Sequence, residues 1–293
     1  MPRPIEKGGY KLNGVFSHSD SYVAIKKQFP SMAGHGLDAL PSSTHSALLF
    51  LRAEFAAQGP ETQNLVLVTQ LYSVISSCTT VDRELEQLRI DGVVRVFDLG
   101  ASSADAAVML EADYRALIAR CAQESAAAAA VADDASASAA PPKRKRRRGE
   151  SSAGGPPRAN AYAMLERVLA LYRGSSVDER ALIDAFRKVA SDVPQQRGVA
   201  GSGASAIQRL VERGLLAGSR AHSGYCFAIP NASDFICALR TGRAGLLKAV
   251  QRKRHKEISK DLLLRTPTGT TLLSNTFLLR DALGAHALVS LDA

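Results

Sequence analysis

The chain has 293 residues, 46% of them hydrophobic, and a formal net charge of +9, enough for one large domain or two to three small ones. No apolar run reaches the roughly 20 residues that span a bilayer, and Met1-Pro-Arg-Pro-Ile-Glu-Lys7 has no apolar signal core, so neither a membrane partner nor secretion is expected. Cys78, Cys121, Cys226 and Cys237 stand far apart without a C-x-x-C pair, and the six histidines are scattered, which argues against zinc fingers and disulfide scaffolds. No metal or other cofactor is expected, and isolated thiols fit a reducing compartment.

Residues 1–41, rich in Gly and Ser, read as a flexible leader. Residues 42–124 read as one compact unit. Thr44–Ala57 has apolar residues at helical spacing, and Leu65–Ile75 is a second helical pattern rich in β-branched residues. Thr79 and Thr80 are expected to cap a third helix, Val81–Ile90, with Val81, Leu85 and Leu88 on one face. Asp91-Gly92 then turns the chain into a strand, Val93–Leu99, in which Val94 and Val96 alternate imperfectly with Arg95 and Asp98. Ala107–Leu110 returns as a second strand, followed by a helix over Asp113–Ala122. Three helices and a strand pair in this order predict a winged helix, a helix-turn-helix variant.

Residues 125–157 hold almost nothing large and apolar, which predicts a disordered Ala-rich linker, with a short helix possible at its start. The pattern then repeats over 158–232. Ala161–Tyr172, Val177–Val189 and Ala204–Arg213 read as helices, Gly214 as a C-cap, and Leu215–Gly218 with Tyr225–Ile229 as a hairpin. The wing between those strands, Ser219–Gly224, holds Arg220 and His222. A shorter third copy is expected over 233–293: a basic helix Arg243–Glu257, helices at Ser259–Leu264 and Thr276–Leu283, and a strand at Leu288–Leu291 with a short wing. The fold class is therefore α-rich α+β, built of tandem winged helices.

Val23-Ala-Ile-Lys26 spells the tetrapeptide that carries the ATP-pairing lysine of protein kinases, and Gly9 to Val15 loosely imitates a glycine-rich phosphate loop. Phosphoryl transfer also needs an Asp at the substrate hydroxyl, an Asn, and a second Asp on magnesium. The chain has no His-Arg-Asp, Asp-Phe-Gly or Ala-Pro-Glu. Asp91-Gly92 reads as a helix-to-strand turn and Asp234 as a helix-start residue. Gly201 to Ala206 mimics a dinucleotide fingerprint without a preceding strand, and no G-x-S-x-G elbow occurs. No catalytic residues are assigned, and the chain is not expected to be an enzyme.

Charge supplies the functional reading. Residues 1–142 carry 11 Lys/Arg against 16 Asp/Glu, 143–148 add six cations, and 149–293 carry 20 against 12. A polyanion is drawn to the C-terminal half. Residues 234–265 gather Arg240, Arg243, Lys248, Arg252, Lys253, Arg254, Lys256, Lys260 and Arg265 against Asp234, Glu257 and Asp261, a candidate phosphate-neutralising surface for double-stranded DNA. The alternative for the same residues is a solvated face. Arg209, Arg213 and Arg220 form a second candidate set on the third helix and wing of the middle unit. The third helix of the first unit instead carries Asp82, Glu84 and Glu86, so it is expected to avoid DNA, with Arg83 and Arg89 paired to those acids. Lys143, Arg144, Lys145, Arg146, Arg147 and Arg148 read as a nuclear localisation signal.

"LVTQLYSVISSCTTVDRELEQLRIDGVVRVFDLG" (67–100), "LEADYRALI" (110–118), and "GLLAGSRAHSGYCFAIPNASDFICALRTGRAGLLKAVQRKRHKEI" (214–258) resemble the serine/threonine-protein kinase nineteen family, as does "LRDALGAHALVSLDA" near the end. The similarity covers 44–122 and 160–293 as a pattern over length, without a catalytic signature. The resemblance implies tandem winged helices that bind duplex DNA in the nucleus. It also implies non-enzymatic work in transcription-coupled nucleotide excision repair, beside RNA polymerase II-associated proteins. The chain departs from the family's pattern in its long Ala-rich linker, its short final wing and its lack of Trp. Two other readings stand beside this one: a protein-interaction adaptor that never contacts DNA, and a divergent serine/threonine kinase.

Overall fold

The computed structural model describes residues 42–56, 64–99, 105–138, 159–191, 202–219, 223–270 and 272–290. The leader, including Val23–Lys26, the basic run 143–148, and Arg220 with His222 lie outside these. The described chain forms two compact units. One holds residues up to Leu110 together with those from Asn231 onward; the other spans Glu111–Pro230.

The first unit opens with α1 (Ser43–Ala56), β1 (Val66–Leu67), α2 (Val68–Tyr72), α3 (Cys78–Ile90), β2 (Val94–Asp98) and β3 (Ala106–Leu110). β3 is the central strand, antiparallel to both neighbours, with Val66 opposite Val108 and Val94 opposite Leu110. α3 begins one turn earlier than expected, because Ser77 rather than a threonine caps it, its hydroxyl accepting from the Thr80 N–H at 3.3 Å. β2 is covered on both faces rather than one: Val94, Arg95 and Phe97 are all buried.

The second unit consists of α4 (Glu111–Ser138), α5 (Ala159–Leu171), β4 (Ser176–Asp178), α6 (Glu179–Ser191), α7 (Ser202–Glu212), β5 (Leu216–Gly218) and β6 (Gly224–Phe227). Its sheet again places the last strand in the middle, with Ser176 opposite Cys226 and Leu216 opposite Phe227. The helix–strand–helix–helix–hairpin order thus occurs twice.

The matching phrases "LRIDGVV" and "VERGLLA" close the same way. Gly92 (φ 72°) and Gly214 (φ 71°) both occupy the left-handed region. The N–H of each glycine and of the residue after it reach back to carbonyls on the preceding helix: Gly92 to Arg89, Val93 to Leu88, Gly214 to Val211, Leu215 to Leu210. This is the Schellman pattern, and a Cβ at the glycine would strain it.

Three expectations change. The helix after β3 belongs with the second unit and runs to Ser138, into the stretch expected to be linker. Its apolar residues Tyr114, Leu117, Ile118 and Cys121 are buried, and the Tyr114 hydroxyl donates to the Ala228 carbonyl at 3.0 Å. The basic helix stops at Gln251, not Glu257, because "RKRHKE" offers no side chain to the core and Lys256 turns left-handed at φ 56°. Residues 231–290 also form no separate winged unit, since no strand occurs among the described ones.

They contribute α8 (Ala232–Gln251), α9 (Lys260–Arg265) and α10 (Asn275–Gly284), which pack into the first unit. α10 lies against α2 so closely that a Cβ at Gly284 would stand 1.6 Å from the Thr69 carbonyl oxygen. The wholly buried Gln70 fastens the pair: its Oε1 accepts from the Leu67 N–H and its Nε2 donates to the Phe277 carbonyl, both at 2.9 Å. Phe277 is buried between Phe55 (centroids 4.7 Å apart) and the edge of Phe235 (6.0 Å).

Candidate nucleic-acid interface

α8 buries Phe235, Ala238, Leu239, Gly242, Leu246 and Val250, a stripe at helical spacing. Arg240 and Lys248 fall outside that stripe and are exposed. At about 100° per residue, Arg240, Lys248 and Arg252 share roughly 120° of arc. The helix closes with the Arg252 N–H on the Lys248 carbonyl (3.1 Å) and the Lys253 N–H on Val250 (3.0 Å). A short turn follows, in which the Lys256 N–H reaches the Lys253 carbonyl at 2.9 Å. Arg252, Lys253, Arg254, His255 and Lys256 are all exposed on it.

Both ends of this turn are anchored. α9, beyond it, is pinned by the buried Leu263 and by Asn275 at the start of α10. The Asn275 amide donates to the carbonyls of Leu263 (3.1 Å), Leu264 (2.9 Å) and Thr266 (2.7 Å), while its oxygen accepts from the Thr268 hydroxyl (3.0 Å). Among the described residues, no carboxylate lies in ion-pair contact with Arg240, Lys248, Arg252, Lys253, Arg254, Lys256 or Arg265. Cations at a helix C-terminus complement the macrodipole, but that favours only those in the last turn. Clustered unpaired cations on a fixed turn can neutralise several adjacent phosphates.

Arg243 leaves the candidate set. Its Nε and Nη2 donate to the two oxygens of Asp281 at 2.6 and 2.9 Å, and its Nη1 donates to Asp105. Asp281 is 1% exposed and also accepts from the Thr69 hydroxyl at 2.6 Å. The Asp281 hydrogen bonds, with those from Asp105 and against the opposing desolvation, raise the guanidinium further above its ordinary range. A side chain spent this way holds α8 to α10 and to the start of β3, and its positive charge is already matched by two carboxylates.

Of the second set, Arg213 is exposed, Arg209 is half-buried with a partner of its own, and Arg220 lies outside the described residues. Glu212 between them accepts from the Gln208 amide at 3.2 Å. The acidic face of α3 is occupied locally. Asp82 accepts from the Tyr72 hydroxyl at 2.6 Å, and Glu86 pairs with Arg89 at 2.6 Å, as expected for Arg89. Glu84 caps α1, accepting from the Thr44 N–H at 2.9 Å and the Ser43 hydroxyl at 3.1 Å.

The kinase look-alikes have structural duties. Asp91 is the C-cap of α3, and Asp234 sits in the first turn of α8. Among the described residues no group of His, Cys, Asp and Glu could hold a metal ion, and no helix is long and apolar enough to cross a membrane. No curated protein matches the chain. The family model described as inactive serine-threonine protein kinase 19 matches residues 36–287, and the chain therefore belongs to that family, whose members are not active kinases.

Proposed function

We propose that both units are winged-helix modules and that the chain is a nuclear, non-enzymatic scaffold that binds double-stranded DNA in transcription-coupled nucleotide excision repair. The observation that carries the DNA reading is the exposed turn Arg252–Lys256, four cations without a described acidic partner, held between two anchored helices. Arg240 and Lys248 extend it along α8, and Arg265 stands at the end of α9. Contact is made to phosphates, so affinity is strong in salt dependence and weak in sequence readout. The basic run 143–148 supports nuclear entry. The repair role and the polymerase-associated partners rest on the family resemblance.

The test is duplex binding by the full chain, followed by fluorescence anisotropy between about 50 and 200 mM salt. Four phosphate contacts give a log–log salt slope of about −3.6. Replacing Arg252, Lys253, Arg254 and Lys256 by Glu abolishes that component. Unchanged affinity in the quadruple variant removes the DNA assignment and leaves the adaptor reading, which the internally occupied acidic face of α3 does not itself favour.

A further inference from the structure

The basic turn is followed within three residues by a hydroxyl with no structural work to do. Ser259 occupies the N-cap position of α9, yet its side chain makes no capping hydrogen bond, and the residue is exposed. Its backbone carbonyl alone serves the helix, accepting from the Leu263 N–H at 3.0 Å. Neighbouring hydroxyls are engaged: Thr266 donates to the Leu262 carbonyl (2.7 Å), Thr268 to Asn275 (3.0 Å), and Ser274 accepts from the Phe277 N–H (3.1 Å). Glu257, Ile258 and Ser259 lie outside any helix, with Ser259 extended at φ −67°, ψ 146°. That is the form in which a kinase cleft accepts a substrate strand, and α9 is only six residues long should it need to fray. Lys256 stands three residues before the hydroxyl and Arg254 five before it, the arrangement an acidic substrate groove selects.

We propose that Ser259 is a phosphorylation site for a basic-directed protein kinase, and that its modification switches off the DNA-binding turn. The inference rests on the DNA reading above. In the step, Ser259 Oγ attacks the γ-phosphorus of a nucleoside triphosphate supplied by that kinase. A new O–P bond forms, the bond to the β,γ-bridging oxygen breaks, nucleoside diphosphate departs, and the hydroxyl proton passes to the kinase's base. Residues 252–261 carry five cations against Glu257 and Asp261, a net of +3. A phosphoserine contributes about −1.5 to −2, so the segment falls to about +1, and the phosphate oxygens compete with DNA for Arg254 and Lys256.

The experiment treats the full chain with a purified arginine-directed kinase and ATP, and locates phosphate by fragmentation mass spectrometry. Incorporation at Ser259, absent from Ser259→Ala, is expected, with duplex affinity roughly tenfold weaker and the salt slope reduced by about 1 to 2. Ser259→Ala itself binds as the unmodified chain does. Failure to label Ser259 overturns the proposal. So does labelling that leaves affinity unchanged while the Arg252/Lys253/Arg254/Lys256→Glu variant loses binding, because the turn is then the site and the phosphate is irrelevant to it. Should that variant bind normally, the DNA reading falls first and the switch falls with it.

Discussion

Replacing Arg243 by Ala isolates the clamp that joins the sequence-distant parts of the first unit. The substitution removes two donors from Asp281 and one from Asp105, leaving the 1%-exposed Asp281 carboxylate with only the Thr69 hydroxyl. Stripping one partner from a buried pair costs about 3–5 kcal/mol. Because the Arg243 side chain keeps 27% exposure, about 3 kcal/mol is the expected loss. Asp281→Asn costs less, since the guanidinium retains Asp105 and no buried charge is stranded. Arg240→Ala, one turn away and exposed, shifts stability by no more than about 0.5 kcal/mol. The two units need not melt together, so urea unfolding by circular dichroism is paired with amide hydrogen exchange on β3 and α8. If Arg243→Ala lies within about 1 kcal/mol of Arg240→Ala, the clamp does not hold the unit and the reasoning fails.

Gly284→Ala forces a methyl to within 1.6 Å of the Thr69 carbonyl oxygen, so α10 must move off α2. A loss of at least 2 kcal/mol in the same exchange measurement is expected, on the order of other overpacked contacts. Acid also weakens the first unit. Burial depresses His45 below its ordinary 6.5, and Glu84 sits below 4.5 because, although burial pushes it up, the hydrogen bonds from Thr44 and Ser43 outweigh that push. The unfolded chain therefore takes up these protons first. Stability is complete above pH 6.5, falls as His45 is forced to charge, and falls again below pH 4.5 as the Glu84 cap is protonated. Urea midpoints that rise on going from pH 7 to pH 5 would contradict this assignment.

Local signals carried a good part of the fold. Gly92 and Gly214 mark their turns because only a left-handed residue closes a helix that way, and the apolar stripe from Phe235 to Val250 announces the buried face of α8. The exact end of that helix was less visible: no Gly or Pro follows Gln251, and only the lack of apolar residues in "RKRHKE" hints at it. The basic turn was legible as composition, since a dense run of cations is local. The clamp was not. Arg243 lies 138 residues from Asp105 and 38 from Asp281, and nothing near it distinguishes it from Arg240. Glu84, 40 residues from the N–H it caps, looks in the sequence like part of a repelling face for the same reason.

The first unit's interleaved construction has a consequence for biosynthesis. Some 165 residues separate Leu110 from Asn275 at the start of α10, so at 5–20 residues per second a ribosome takes about 8 to 33 seconds to reach that helix. Through that interval the newborn α2 surface has neither Phe277 to cover it nor α10 to grip Gln70, and a chain cut short before then cannot complete its own core. The protein's beginning cannot finish folding until α10 has been made.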